Sequence, residues 1–404
     1  MQRLIAIPKE ETKGKEAEEK DAAASAALKA AGLQPVSKDK LLDPRAGSFQ
    51  HLPKLDTFVV KTGSDSLTEQ VIDLLDETHT ILPSITLTAP RPMMGRIFSR
   101  RPAQTNPWPE ESGIQKAHKA GLTGKGVLVG ILDTGIDADH LEFRQRQIDY
   151  RYVPLDPAID RLRIVRGFDV DGHGTHVCGI LAGKTIGIAP DVDLMVASVI
   201  ESETLKTTLD RVLTALDWML QVIDKPKYKD KPAIINMSLG FVPQSLTDEQ
   251  VRIVGELLDR MVTTLLQTLN VLPVVAIGND GPGHVRAPGY FRQALSVGAV
   301  NFSGQPAEFS GGGLSEVTGE IEPDIAGYGV DIVSSLERSI DGRSVYASMS
   351  GTSMAAPYVT AIAALYASQN PSLQGEALRR YLMEHALPLS SPRDRVGAGL
   401  ARFV

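Results

Sequence analysis

Disulfide chemistry is missing from this chain: its 404 residues contain one cysteine, Cys178. A single thiol makes no internal disulfide and no multi-cysteine zinc site. Long apolar runs are missing too. None approaches the roughly 18 residues that a membrane helix needs. Strong charge of one sign is also lacking. The formal net charge is −7, which argues against a general nucleic-acid binder, whose phosphate contacts need clustered Lys and Arg. The stretch Met1 to Pro8 has too short an apolar core for a signal peptide. The expected location is therefore cytoplasmic, with neither membrane nor nucleic acid as partner. There is no internal repeat and no low-complexity tract. The apolar fraction of 42% is ordinary for a soluble globular protein. The length predicts two or three domains, or one large domain with an appendage.

Residues 1–90 read as a small α+β domain. Strands are expected over 3–7, 33–36, 57–61 and 78–87, and helices over 16–31 and 66–77. The order β-α-β-β-α-β is the ferredoxin-like pattern. The stretch 39–53 has no usable periodicity and is expected to be a loop. Residues 91–110 read as a linker with a processing site, because Pro92, Pro102, Pro107 and Pro109 block regular structure and four arginines keep it solvated. From 111 to 404 the pattern alternates strand with helix. Strands are expected at 126–132, 194–199, 233–237, 271–277, 294–300 and 330–335, and helices at 176–182, 204–223 and 248–269. Such alternation predicts an α/β domain with a mostly parallel sheet and helices on both faces. Ligands then bind beyond the carboxyl ends of the strands.

Three polar residues fall at structurally exposed points of that pattern. Asp133 ends an apolar strand in Leu132-Asp133-Thr134-Gly135. His176 closes His173-Gly174-Thr175-His176. Ser353 opens the last long helix in Gly351-Thr352-Ser353-Met354-Ala355-Ala356-Pro357. A serine hydroxyl is a weak nucleophile and needs a base to take its proton. A buried carboxylate orients the imidazole and stabilises the imidazolium. The bland alternative is a capping Asp133, a core His176 and a capping Ser353.

On these three motifs, in this order, the sequence resembles the subtilisin-like serine proteases over roughly 108–385. The resemblance implies a serine endopeptidase that hydrolyses peptide bonds through an Asp133, His176, Ser353 triad and an acyl-enzyme. It implies that Asn279, in Ala276-Ile277-Gly278-Asn279, donates to the oxyanion. Ser238, Leu239 and Gly240 would lie on a substrate-binding strand and form one wall of the specificity pocket, and Ala276 and Gly278 would also bind substrate. Phe241 would narrow the pocket mouth. Arg286 aligns near the pocket floor, which implies a preference for Asp or Glu before the cleaved bond; the alternative is that Arg286 faces solvent. Cys178 is expected to be a small buried residue rather than a nucleophile.

The segment Ala182 to Pro190 is short and lacks the oxygen ligands of the family's usual strong calcium site. No cofactor or metal is expected there, and calcium elsewhere stays open. The resemblance also implies that residues 1–90 act as a propeptide-like intramolecular inhibitor, making the chain a zymogen. The expected partner is a peptide or protein substrate. An esterase, and a pseudoprotease that binds peptides without cutting them, remain alternatives.

Overall fold

The strand Leu128–Asp133 is buried along its whole length, as an uninterrupted apolar run requires when both faces are covered. The computed structural model describes residues 2–9, 15–36, 47–88, 92–102, 106–153, 165–200, 206–240 and 248–404. In it, this strand belongs to a seven-stranded sheet. The order is Ile325–Tyr328, Leu295–Val300, Leu272–Ala276, Ala233–Met237, Leu128–Asp133, Asp193–Ser198, Ile148–Tyr152. The pairs from Ile325–Tyr328 through Asp193–Ser198 are all parallel. The expected α/β architecture is therefore present.

The helix Thr352–Gln369 packs on this sheet. Every residue from Thr352 to Ala367 is buried. A helix that is apolar all round belongs in a core, and this one fills its middle. Pro357 falls within the first two turns of that helix. The helix His173–Ala182 is buried throughout and packs against it. Among the described residues, no helix is long and apolar enough to cross a membrane.

Contacts divide the chain into two compact units. One holds Met1–Leu87 together with Tyr152–Ile164 and Thr207–Val222; the other holds the remainder. In the first unit the elements are β1 (Gln2–Pro8), α1 (Lys15–Ala30), β2 (Gln34–Pro35), β3 (Ser48–Leu52), β4 (Thr57–Thr62), α2 (Asp65–Leu75) and β5 (His79–Pro83). The sheet order is β2-β3-β4-β1-β5. The four long strands pair antiparallel, as a ferredoxin-like unit requires. The sequence reading misplaced one of them. The full second strand is β3, inside the stretch taken for a loop, while the expected strand at 33–36 is only the two-residue β2. His51 and Gln50 interrupt the apolar signal of β3, yet Phe49 and Leu52 fill the core. Ser64 caps α2 by accepting from Leu67 N at 3.2 Å, so the helix begins just before the expected 66.

The helix Leu209–Ile223 contributes its first fourteen residues to this same unit. Asp210 is buried, ion-pairs with Arg3 of β1 at 3.0 Å and accepts a hydrogen bond from Ser84. Asp217 accepts from the Lys54 backbone N–H at 2.8 Å.

Three further expectations need correction. Proline was read as keeping 91–110 irregular, but Met93–Phe98 is a strand. It pairs antiparallel with Val345–Ser350, which pairs in turn with Ile332–Leu336. No proline falls between Met93 and Phe98, so every N–H the ladder needs is available. Farther along, the Asn106 side chain bonds both the N–H and the C=O of Val333 at 2.8 Å. The expected strand at 330–335 thus lies in this small antiparallel sheet, and Ile325–Tyr328 takes the edge of the large one. Finally, the helix expected over 176–182 begins at His173. Gly172 at positive φ precedes it.

Candidate active site

Three adjacent parallel strands deliver the site at their carboxyl ends: Leu128–Asp133, Ala233–Met237 and Leu272–Ala276. Asp133 is fully buried at the end of the first. One carboxylate oxygen accepts from the Thr134 N–H at 2.7 Å and lies 2.6 Å from His173 Nδ1. The other has no hydrogen-bond partner.

This pairing overturns His176 as the imidazole that faces Asp133. His173 is the first residue of its helix, and His176 lies nearly a full turn deeper. The His176 Nε2 bonds the Ala347 carbonyl at 3.0 Å, and its Nδ1 has no partner. Burial pushes the His176 pKa down to about 3, so this ring stays neutral and takes up no proton near pH 7. His173 behaves oppositely. Burial disfavours its charge, but the carboxylates of Asp133, Asp171 and Asp169 outweigh that effect and raise its pKa. Its Nε2 is buried and has no hydrogen-bond partner, which leaves that atom open to a reacting group.

Close packing of small residues makes the pairing possible. A Cβ on Gly174 would lie 2.2 Å from the Gly135 carbonyl oxygen. One on Gly135, at φ 133°, would lie 2.1 Å from the Phe168 carbonyl oxygen. Asp169 ties these segments together and escaped the sequence reading. It accepts from Thr134 Oγ1 at 2.8 Å, from the Thr175 N–H at 2.7 Å and from Thr175 Oγ1 at 2.6 Å. Thr134 Oγ1 also accepts from the Gly174 N–H at 2.9 Å. Two hydroxyl residues beside glycines, and an aspartate four residues before His173, were the available signals.

Ser353 is the second residue of its helix and is buried. Its hydroxyl donates to the Ser238 carbonyl at 3.1 Å, and the Ser238 hydroxyl donates to the Ser353 carbonyl at 3.0 Å. The expected substrate strand Ser238–Gly240 therefore does lie beside Ser353. Asn279 is held by its side-chain oxygen, which accepts from Thr352 N and Thr352 Oγ1, each at 2.9 Å. Its Nδ2 faces Gly351, where an added Cβ would sit 3.3 Å away. An amide Nδ2 held in this way beside the start of the Ser353 helix is suited to donate to a developing oxyanion.

The Peptidase_S8 "Subtilase family" model matches residues 124–400, which include every one of these side chains. The chain is a member of the subtilase family. It is 41% identical over 372 residues to the subtilisin-like protease PopC of Myxococcus xanthus, covering 88% of this chain and 77% of that one. It is 32% identical over 310 residues to subtilisin Savinase of Lederbergia lenta, covering 74% and 97%. A crystal structure of a cold-adapted subtilisin-like serine proteinase superposes with a TM-score of 0.52 at 26% identity, covering 70% of this chain and 90% of that one. This subtilase is accordingly a serine endopeptidase, a hydrolase of peptide or protein substrates.

In this subtilase Arg286 lies against Gly240 and Gly278, two of the residues expected to bind substrate. A Cβ on Gly278 would sit 2.9 Å from its side chain, and one on Gly240 would sit 3.0 Å away. Its side chain is only 11% exposed, so the solvent-facing alternative does not hold. Its guanidinium already has an anion: Nε and Nη2 both donate to Asp280, and Nη1 donates to the Gly240 carbonyl at 3.3 Å. Hydrogen bonding from Arg286 in turn holds Asp280 below the usual carboxylate range. Phe241 lies outside the described residues. Cys178 is fully buried, and burial pushes its thiol pKa up, so it is inert.

The residues after the His173 helix do not fit the calcium ion that many subtilases carry there. Arg146 instead brings a guanidinium to this segment. Its Nη1 donates to the Ala182 carbonyl at 2.8 Å, and its Nη2 donates to the carbonyls of Pro190 and Val192. Carbonyls turned onto a guanidinium are not available to a metal.

Proposed function

We propose that Ser353 is the nucleophile, His173 the general base and Asp133 the carboxylate that orients it. The 2.6 Å Asp133–His173 contact carries this reading. The Asp133 carboxylate fixes the proton on Nδ1 and leaves Nε2 as acceptor. Nε2 takes the Ser353 proton as Oγ attacks the scissile carbonyl, and the imidazolium then protonates the leaving amine. Asn279 Nδ2 and the Ser353 N–H hold the oxyanion until the acyl-enzyme forms. Water, activated by the same imidazole, releases the product. The substrate lies along Ser238–Gly240 by strand addition.

The preference for acidic residues before the cleaved bond is a finer proposal. A substrate carboxylate must compete with Asp280 for Arg286, so the preference is expected to be modest. Arg146 supports the further proposal that the loop from Ala182 to Val192 needs no calcium.

Restraint by the N-terminal region is also proposed, on two observations. Met93–Phe98 pairs with the strand that ends at Ser350, three residues before Ser353, and Pro92 lies against Gly351. Asp210, within the family-matched stretch, is ion-paired to Arg3. Intact masses of the wild type and Ser353→Ala test the whole reading. Self-cleavage in the wild type alone supports it. Full-length wild type that still fails to react with a fluorophosphonate after limited proteolysis of its N-terminal region refutes it.

A further inference from the structure

Far from the catalytic residues in sequence, one group of side chains gathers metal-ligating atoms. Asp21 on α1, His51 on β3 and Asp56 in the β3–β4 turn bring one donor atom each within 4.8 Å of the others. His51 Nε2 and an Asp21 oxygen are 3.2 Å apart. That spacing is close to the edge of a zinc tetrahedron, about 3.3 Å for bonds of about 2.0–2.1 Å. The His51 ring is held in place by stacking on buried Phe58, with centroids 4.5 Å apart.

A surface cavity opens onto the three residues, and Glu18 joins them in its lining. The lining thus carries three carboxylates and an imidazole, with no Lys or Arg among its described residues. A second cavity shares Asp21 and Asp56 and contains Lys9 and Lys20. Lys20 is 3.3 Å from Glu16 and Lys9 is 3.6 Å from Asp76.

We propose that Asp21, His51 and Asp56 bind one divalent transition-metal ion of the zinc class, with Glu18 or water in the fourth position. An imidazole with carboxylates suits zinc, whereas calcium and magnesium favour oxygen-only sets. The three donors come from three separate elements. The ion would therefore cross-link α1 to the β3–β4 hairpin and stabilise this unit against local opening. The site is independent of the protease chemistry.

The test uses the full chain carrying Ser353→Ala, which only prevents self-cleavage. Zinc chloride is titrated calorimetrically at neutral pH into this protein and into versions that add His51→Gln or Asp56→Asn. One saturable equivalent, weakened at least about tenfold by each substitution, is expected. Absence of saturable binding, or unchanged affinity in both variants, overturns the proposal. Cobalt(II) provides a reading that needs no variant. Intense visible absorption from a tetrahedral site is expected from the full chain, and the weak spectrum of hydrated cobalt overturns the site. Circular dichroism of each variant without metal identifies any loss that comes from misfolding.

Discussion

Separate replacement of the two histidines gives opposite expected results. His173→Ala removes the ring bonded to Asp133. In subtilisin, a relative, loss of the triad histidine alone lowers kcat by about 2 × 10⁶. At 1.36 kcal/mol per decade that is about 9 kcal/mol of transition-state stabilisation. His176→Gln instead replaces a neutral ring whose Nε2 contacts the Ala347 carbonyl at 3.0 Å. A glutamine keeps a donor of similar reach, so the loss is a hydrogen bond of about 1 kcal/mol plus imperfect packing. Turnover is expected to stay within about tenfold of wild type, with a drop of a few degrees in Tm. The assay is kcat/KM on a chromogenic peptide, alongside fluorophosphonate labelling and a thermal melt. A His176→Gln protein that melts normally but is dead, beside an active His173→Ala protein, would refute the assignment.

The pH profile has a definite sign. Neutral His173 is the reactive form and its pKa is raised, so kcat/KM should rise with pH through a midpoint above about 6.5, the ordinary value. Asp133→Asn should slow the enzyme by about 10⁴ and move that midpoint toward acid; an unmoved midpoint counts against the pairing. Asp280→Asn frees Arg286 and should raise the relative kcat/KM for Glu before the cleaved bond by about tenfold, while Arg286→Ala should remove the preference, as a peptide panel would read. Arg146→Ala strands three carbonyls and should cost about 2–5 kcal/mol in denaturant unfolding, whereas a chelator should leave the wild-type melt near this loop unchanged. Asp210→Ala leaves Arg3 without this carboxylate and should loosen the N-terminal unit by about 3–5 kcal/mol, seen as faster proteolysis of residues 1–87 without a change at Ser353.

Much of the fold was legible because apolar runs such as Leu128–Leu132 and Leu272–Ala276 advertise strands covered on both faces. The positions of Asp133 and Ser353 in the fold were legible because each sits at a junction, the end of such a run or the start of an apolar helix. The Asp133–His173 contact was not, because the choice between two imidazoles three residues apart depends on where the helix begins. Propensity leaves helix ends uncertain by a few residues, and Gly172 marks the true start only once its positive φ is known. The strand β3 was hidden for another reason: His51 and Gln50 serve tertiary contacts rather than periodicity. Met93–Phe98 was hidden by its flanking prolines, and its partner Val345–Ser350 lies some 250 residues away, beyond any local signal. Arg286 lies against Gly240 and Gly278, but its pairing with Asp280 needs the two loops side by side.

The grouping of Leu209–Val222 with the N-terminal residues separates cooperative units from sequence modules. A helix whose sequence belongs to the peptidase is then expected to exchange its amide protons on the schedule of its neighbours in space. Hydrogen exchange of 209–222 should therefore follow β1 and β4 rather than the helix Thr352–Gln369. A genetic cut after residue 87 would not yield a free-standing remainder: it would strip Asp210 of Arg3 and Ser84 and leave a helix that must find new solvation. For this chain the boundary between sequence modules and the boundary between compact units are two different places.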